Sequence, residues 1–588
     1  MLGVAAAARA QVNPPVPAPS GPLNPPGAPQ TAPAPGITAT PLPCAPVAAV
    51  TPTSASQSPL PLADGPTPAT PAGFPSAAAS ATPAPCLAPS PAVAPAPTPI
   101  PTPVPIIVDP PSPAIVLGKS IALRVTGVAG TIVAVSANPA IAGAVADQNT
   151  RTLVVTGNAI GTTTITLHDD RGIVTRDVPV RVAYSAGTVA DETSLRVTGN
   201  PAGIQFLKHA TAEAAAAAAT LRSGASVNAD FNQVRVRAPL GSDDKGVVEV
   251  PVHIAGPGYI DVDGVTRVEL ENFALPSIAP AELLVSDYPE RLTASGVLFT
   301  ADLDRSSARR FLYYHYNAGN EPARRVLLKA SNSSNAPAMV QIIAGSAGPG
   351  GNEMEIGHLT TERFLVREYQ NEGTVITIPP QTTVNLVDVP LPPGTLVSAL
   401  LQLREVSGDP IHLALVAQDL GAPLDQSTDT TQLLSGGAMH ARGSYSVPEF
   451  FFDYTYTTDG DNLEIPIGQL PLPNLRAGEA LGGDYGVQQS ITVTIVNPTR
   501  GPMPVAIYAN PRGGRATGTF LIDRTLVQAH ALPPFSKYKI WQETIRAGTF
   551  RRVQIVTMPE GGSSYPLRLI FAPDDGSVPP GAPGSPIY

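Results

Sequence analysis

The sequence predicts a mainly β, multidomain chain of Ig-like and β-sandwich modules, with one small α+β domain and a disordered Pro-rich N-terminal segment. Three observations carry that prediction. Residues 1–113 hold 33 of the 69 prolines and only three charged side chains, Arg9, Asp64 and Asp109. From Ile115 onward, short runs of Val, Ile and Thr are broken by Gly, Asn, Asp and Pro, the pattern of short strands joined by tight turns. The last half of the chain also repeats blocks of its own sequence.

Taken in order, Ala8-Arg9-Ala10 before Gln11 has the small-x-small form that ends a secretory signal, so residues 1–10 are expected to be a truncated signal remnant. The basic start of such a signal is missing; a start upstream of Met1 and an alanine-rich terminus both remain open. Residues 11–113 are expected to be a disordered stalk, because Pro-rich, aromatic-poor chain buries too little apolar surface to offset its ordering entropy. Cys44 and Cys86 both lie in it. They could pair, cross-link two molecules or do neither, and their position excludes disulfides and Cys-ligated metal sites from the folded part. The 475 residues that follow carry 35 Lys+Arg against 44 Asp+Glu with no long run of either sign, which argues against a nucleic-acid partner. No apolar run has the length of a membrane-spanning helix.

Residues 114–185 read as an Ig-like domain, with strands SIALRVTG, GTIVAVSA, TRTLVVTGN, GTTTITLHDD and GIVTRDVPVRVAY and a last hairpin at Asp169-Asp170-Arg171-Gly172. The segments VAVSANPAIAGAV and LVVTGNAIGTTTITLHDDRG resemble the N-terminal β domain of bacterial pilus-assembly and secretin-type proteins, and also group 2 bacterial Ig-like domains. The resemblance implies a periplasmic or surface setting and carries no catalytic residues with it. Residues 186–277 read as a small α+β domain. Its helix is expected over Ile204 to Arg222 with an apolar stripe of Phe206, Ala210, Ala214, Ala217 and Leu221, and a tight hairpin is expected at Asp261 to Gly264.

The rest is expected to be two homologous β-sandwiches, residues 281–422 and 440–576, joined by a linker at 423–439 and followed by a disordered tail at 577–588. Val326 to Gly345 aligns without gaps on Ile491 to Asn510, and Ile378 to Thr395 on Leu532 to Thr549. The extra residues of the first copy, in GPGGNEMEIGHLTTERFLVREYQ, are read as loop.

Candidate chemistry is sparse. Ala344-Gly345-Ser346-Ala347-Gly348 is a degenerate nucleophile elbow with no helix expected after it. Gly513 to Thr519 lacks the lysine of a phosphate loop, the Asp459 to Glu464 run reads as a turn, and the eight histidines show no metal-ligand spacing. Asn332-Ser333-Ser334 fits a glycosylation acceptor. No catalytic residue, metal or cofactor is therefore expected. Two aromatic runs stand out: Phe450, Phe452, Tyr454 and Tyr456 share one strand face, and Tyr313, Tyr314 and Tyr316 occupy a similar run in the first copy. They are expected either to fill the sandwich cores or to form a binding platform. The function expected is that of a non-enzymatic, exported bacterial cell-envelope or surface protein with a structural or adhesive role. The alternatives are a carbohydrate- or matrix-binding protein and a component of pilus-assembly or secretion machinery. Envelope proteins or extracellular glycans are the expected partners, in the periplasm, at the cell surface or outside the cell.

Overall fold

The computed structural model describes residues 104–128, 130–170, 174–422, 432–475 and 480–577. The expectations for the signal remnant, Cys44 and Cys86, the stalk before Val104, the linker at 423–431 and the tail beyond Ser577 lie outside the described residues.

Strict alternation in the first module puts Leu123, Leu153, Val155, Ile165, Leu167, Val178 and Val180 inside a two-sheet sandwich, all of them buried. Each sheet has four strands. The module begins earlier than expected. Ile107–Asp109 pairs antiparallel with the strand Ser120–Thr126, and Ile106 and Val108 are buried, so the residues just before Ala114 belong to the core and not to a stalk.

Helix α1 spans Ile204–Ala218 and rests Phe206, Leu207, Ala210 and Ala215 on Val250, Val252 and Val268 of a sheet. It stops short of the expected Arg222 because Ala219 turns extended and Thr220–Leu221 pairs with Gly187–Thr188. The absence of a side chain at Gly187 permits this, since a Cβ there would lie 2.3 Å from the Thr220 carbonyl oxygen. The expected hairpin is also displaced: Val262 to Gly264 lie inside the strand Val262–Asn272, and the chain reverses around Gly256-Pro257-Gly258, with Gly258 at φ 81°.

The α+β region does not close on itself. Its strand Glu192–Thr198 runs parallel to Val262–Asn272 on one side and antiparallel to a strand of the first sandwich on the other. One 11-stranded sheet therefore joins the two regions.

The strands of the first sandwich are β1 Pro280–Ser286, β2 Gly296–Leu303, β3 Ala308–Asn317, β4 Arg324–Asn332, β5 Ala338–Gly350, β6 Gly373–Ile378, β7 Thr382–Leu391, β8 Leu396–Ser407 and β9 Ile411–Asp419. After β10, Arg442–Tyr445, the second sandwich has β11 Glu449–Thr457, β12 Leu463–Ile467, β13 Gln488–Asn497, β14 Met503–Pro511, β15 Ala516–Ile522, β16 Thr525–Leu532, β17 Tyr538–Ile545, β18 Thr549–Thr557 and β19 Leu567–Pro573. The sheet orders are β1-β3-β8-β5-β6 over β2-β9-β4-β7 in the first, and β11-β13-β18-β15-β16 over β12-β19-β14-β17 in the second. Adding ten to each label converts one into the other, including the parallel pairs β1 with β3 and β11 with β13. Even the irregularities coincide, with a bulge between Leu328 and Lys329 in β4 and between Ile507 and Tyr508 in β14.

This topology corrects one of the sequence alignments. Ile378 to Thr395 and Leu532 to Thr549 fall on β7 and β17, which are equivalent, but Val326 to Gly345 lies on β4 and β5 while Ile491 to Asn510 lies on β13 and β14. The match slipped by one strand because the Asn-turn-Pro motif occurs twice in the first copy. Asn332 and Asn497 build the same turn, each holding a hydroxyl two residues on and donating to a carbonyl four residues on. The counterpart of Asn497 in the fold is Asn317: each ends its strand and donates to the last residue of β7 or β17, at 3.0 Å to the Leu391 oxygen and 2.9 Å to that of Ile545. Asn332 itself is buried with its amide engaged, which removes it as an exposed glycan acceptor.

Three further corrections concern the joints. Strand β10 adds to β1 of the first sandwich and not to the second. Leu434, in the expected linker, packs on the first core and donates to the Val297 oxygen. The stretch read as loop contains helix α2, Glu353–Tyr369, inserted between β5 and β6 where the second copy has only the turn Asp523-Arg524.

Candidate functional site

Helix α2 lies on β5 and against the second sandwich, and its placement creates a pocket between the two copies. Gly345 of β5 is the floor on which it sits, since a Cβ there would be 2.3 Å from the Phe364 nitrogen. At the other side Gly357 meets the Gly561 carbonyl oxygen, 1.8 Å from an ideal Cβ. Two more contacts lock the joint. The buried guanidinium of Arg310 on β3 donates to the Pro448 oxygen at 2.7 Å and to Gln488 Oε1 at 3.3 Å. His358 of α2 and Glu560, both buried, pair at 2.9 Å, with the His530 ring edge-on at 4.4 Å.

The pocket has a volume of about 350 Å³. Strand β1 contributes Val285; Asp287 and Glu290 follow it; β3 contributes Leu312 and Tyr314; and α2 contributes its first residue, Glu353. The second copy and the segment before it close the far side with Met439, His440, Leu481, Tyr485 and the Gly561 to Ser563 turn. His440 lies between two carboxylates, at 3.3 Å from Asp287 and 3.0 Å from Glu290. Burial pushes the Asp287 carboxyl up to about 6; contact with His440 opposes the shift and nearby Glu290 adds to it. Tyr485 donates its hydroxyl to the Ser563 oxygen at 2.7 Å, which engages its polar end within the protein. The Tyr314 phenol is pushed well above its ordinary range by burial and then by Glu353, Glu290 and Asp287.

The structure does not bring the seven expected aromatic residues onto one exposed surface. Tyr313 lies in the first core, Tyr314 faces the pocket, and Tyr316 is half-buried with the Arg291 guanidinium 5.0 Å above it. Phe450, Phe452 and Tyr454 form a half-buried ladder with ring spacings of 5.8 and 6.0 Å, and Tyr456 is buried against Phe571. The exposed rings near that strand are Phe451, 75% exposed, and Phe550, 71% exposed, on the outward side of the same sheet. Ser346 sits within the β5 ladder, with its carbonyl taken by Arg363, so the elbow reading finds no strand-to-helix turn there, although α2 does follow seven residues on. Among the described residues no group of three or more His, Cys, Asp and Glu side chains is placed to hold a metal ion. Apart from Tyr314, which the aromatic run singles out, the pocket residues come from separated segments with no local motif and leave no signal in the sequence.

The first module supplies the clearest comparison. Residues 112–183 match the family described as the pilus formation protein N-terminal region. This is the segment whose strand pattern carries the resemblance, and the match ends where the α+β region begins. No curated protein matches the chain. Among solved structures, domains 5-6 of the S-layer protein SbsC are 17% identical, covering 29% of this chain and 97% of theirs, with a TM-score of 0.13. BT4661, a SusE-like surface located polysaccharide binding protein from Bacteroides thetaiotaomicron, is 13% identical, covering 39% of this chain and 43% of its own, with a TM-score of 0.14. The human desmocollin-1 ectodomain is 10% identical, covering 31% and 43%, with a TM-score of 0.12. At these scores none of the three assigns a fold or a function to this chain. No helix among the described residues is long and apolar enough to cross a membrane.

Proposed function

We propose that this chain is a non-enzymatic, exported protein of the bacterial cell envelope, acting outside the cytoplasm as a structural and adhesive element of a pilus-assembly or secretion apparatus. The observation that carries this reading is the similarity of residues 112–183 to the pilus formation protein N-terminal region, in a module that precedes a duplicated sandwich sharing one sheet with the α+β region. A continuous sheet and a joint closed by buried Arg310 and the His358–Glu560 pair suit a part that must hold its shape under load. Cell fractionation tests it. The tagged protein is expected in the periplasm or at the surface and to co-purify with envelope machinery; a cytosolic protein free of such partners would overturn the reading.

A second reading, adhesion through glycans, draws on the outward face of the second sandwich. There Phe451 and Phe550 flank Thr492, Thr494 and the Asp453–Arg552 pair, a mixture of rings and hydrogen-bonding groups suited to sugar faces. On a glycan array, binding that is lost in Phe451→Ala and Phe550→Ala would favour it over a purely structural role.

A further inference from the structure

We propose that the pocket between the two sandwiches binds an alkyl ammonium group, a primary amine carried on an apolar stem. Its lining divides into two kinds. Val285, Leu312, Leu481 and Met439 offer apolar wall, while Asp287, Glu290 and Glu353 offer three carboxylates. Among the lining residues only His440 is of basic type, and it is held between two of the acids. An anion would meet repulsion there, and an uncharged ligand would leave three carboxylates facing a single imidazole.

Tyr314 decides the chemistry. It is only 7% exposed, lines the cavity, and its hydroxyl has no hydrogen-bond partner among the described residues. That oxygen is reached from the cavity and is not sealed in protein, so a donor entering the pocket can bond it directly. An ammonium has three donors and no acceptor, so it can donate to the Tyr314 oxygen and to two carboxylates at once. The rings of Tyr314 and Tyr485 line the same space, and aromatic walls favour cations. A volume of about 350 Å³ is at the small end of ligand pockets and suits a lysine side chain or a free diamine. The inference does not depend on the envelope role, so fractionation results leave it untouched.

Calorimetry on the full chain tests it with three probes: cadaverine, a terminally blocked Gly-Lys-Gly peptide, and the same peptide acetylated at the lysine. Binding of cadaverine alone supports a free amine as the source, binding of the lysine peptide supports a partner's side chain, and the acetylated peptide is expected not to bind. Glu353→Gln changes an exposed residue whose helix cap is provided by Asn352, and Tyr314→Phe keeps the packing; each is expected to weaken binding about tenfold. No heat from either amine up to about 10 mM, equal binding of the acetylated peptide, or unchanged affinity in both variants would overturn the proposal.

Discussion

Asp484 sits just beyond the rim of this pocket, 2% exposed, at φ 53°, with Oδ1 unpartnered among the described residues. Burial pushes its carboxyl up to about 7, against an ordinary value of 3.8, with the Leu470 amide opposing the shift. A folded-state value above the unfolded one means that this group's contribution to stability is complete below about pH 4 and is lost as pH rises toward 7. Asp484→Asn keeps a residue that tolerates the left-handed backbone and removes the charge. It is expected to match the wild type at pH 4 and to exceed it at pH 8 by on the order of 2 kcal/mol in urea unfolding; the same difference at both pH values would exclude ionisation as its cause. His358 has the same sign for another reason. Burial lowers it, but Glu560, Gln528 and Glu362 outweigh burial and leave it raised above the model-compound 6.5. Its contribution is therefore present below that value and lost as pH climbs through the raised one. Glu560→Gln is expected to cost about 3 kcal/mol at pH 6, where it strands a buried imidazolium, and clearly less at pH 9. Denaturant midpoints at the two pH values measure the difference.

Helix α2 is the element that distinguishes the two copies, and its sequence was readable. Asn352 accepts from the Glu355 amide at 3.4 Å and donates back to that residue's carboxylate, a capping arrangement spelled out as Asn-x-x-Glu. Ile356, Thr360 and Phe364 follow at helical spacing and are buried. An insertion present in one copy only, opened by Gly-Pro-Gly-Gly, points instead to a loop; in the structure Gly357 is not a breaker but the point where the helix touches Gly561. The Asn-turn-Pro slip has the opposite cause: an identical local turn was stronger evidence than the strand order, which only pairing reveals. Gly357→Ala therefore tests tertiary contact against helix propensity. Propensity alone would stabilise by about 1 kcal/mol. The backbone contact is expected to win, with a net cost of about 1–3 kcal/mol and faster proteolysis at the joint; a stabilised variant would show that the joint yields freely.

For the whole molecule, signals local to the chain report a core that closes locally and are silent where sheets run on. The Ig-like module, the sandwich pair and the β7/β17 equivalence could be read from alternation and turn residues, because those depend on neighbours along the chain. The boundary near residue 277 could not, because it is bridged by pairing with strands a hundred or more residues away. Thr198 Oγ1 donates to the Asn371 oxygen at 2.7 Å, the Glu372 carboxylate accepts from the Gly203 amide at 2.7 Å, and Asn371 donates to the Leu275 oxygen at 2.8 Å. Cutting the chain there would leave the strand Glu192–Thr198 without β6 and expose these buried groups, each at a cost of about 1–3 kcal/mol. A fragment of 104–184 is therefore expected to fold alone, with dispersed amide resonances and a cooperative melt, whereas one starting at Ala114 should be weakened by losing Ile106 and Val108 from its core. A fragment of 186–277 is expected not to fold, and adding 278–422 should restore a single cooperative transition. An independently folded 186–277 would mean that the shared sheet is a docking of two finished domains and not one structure built across them.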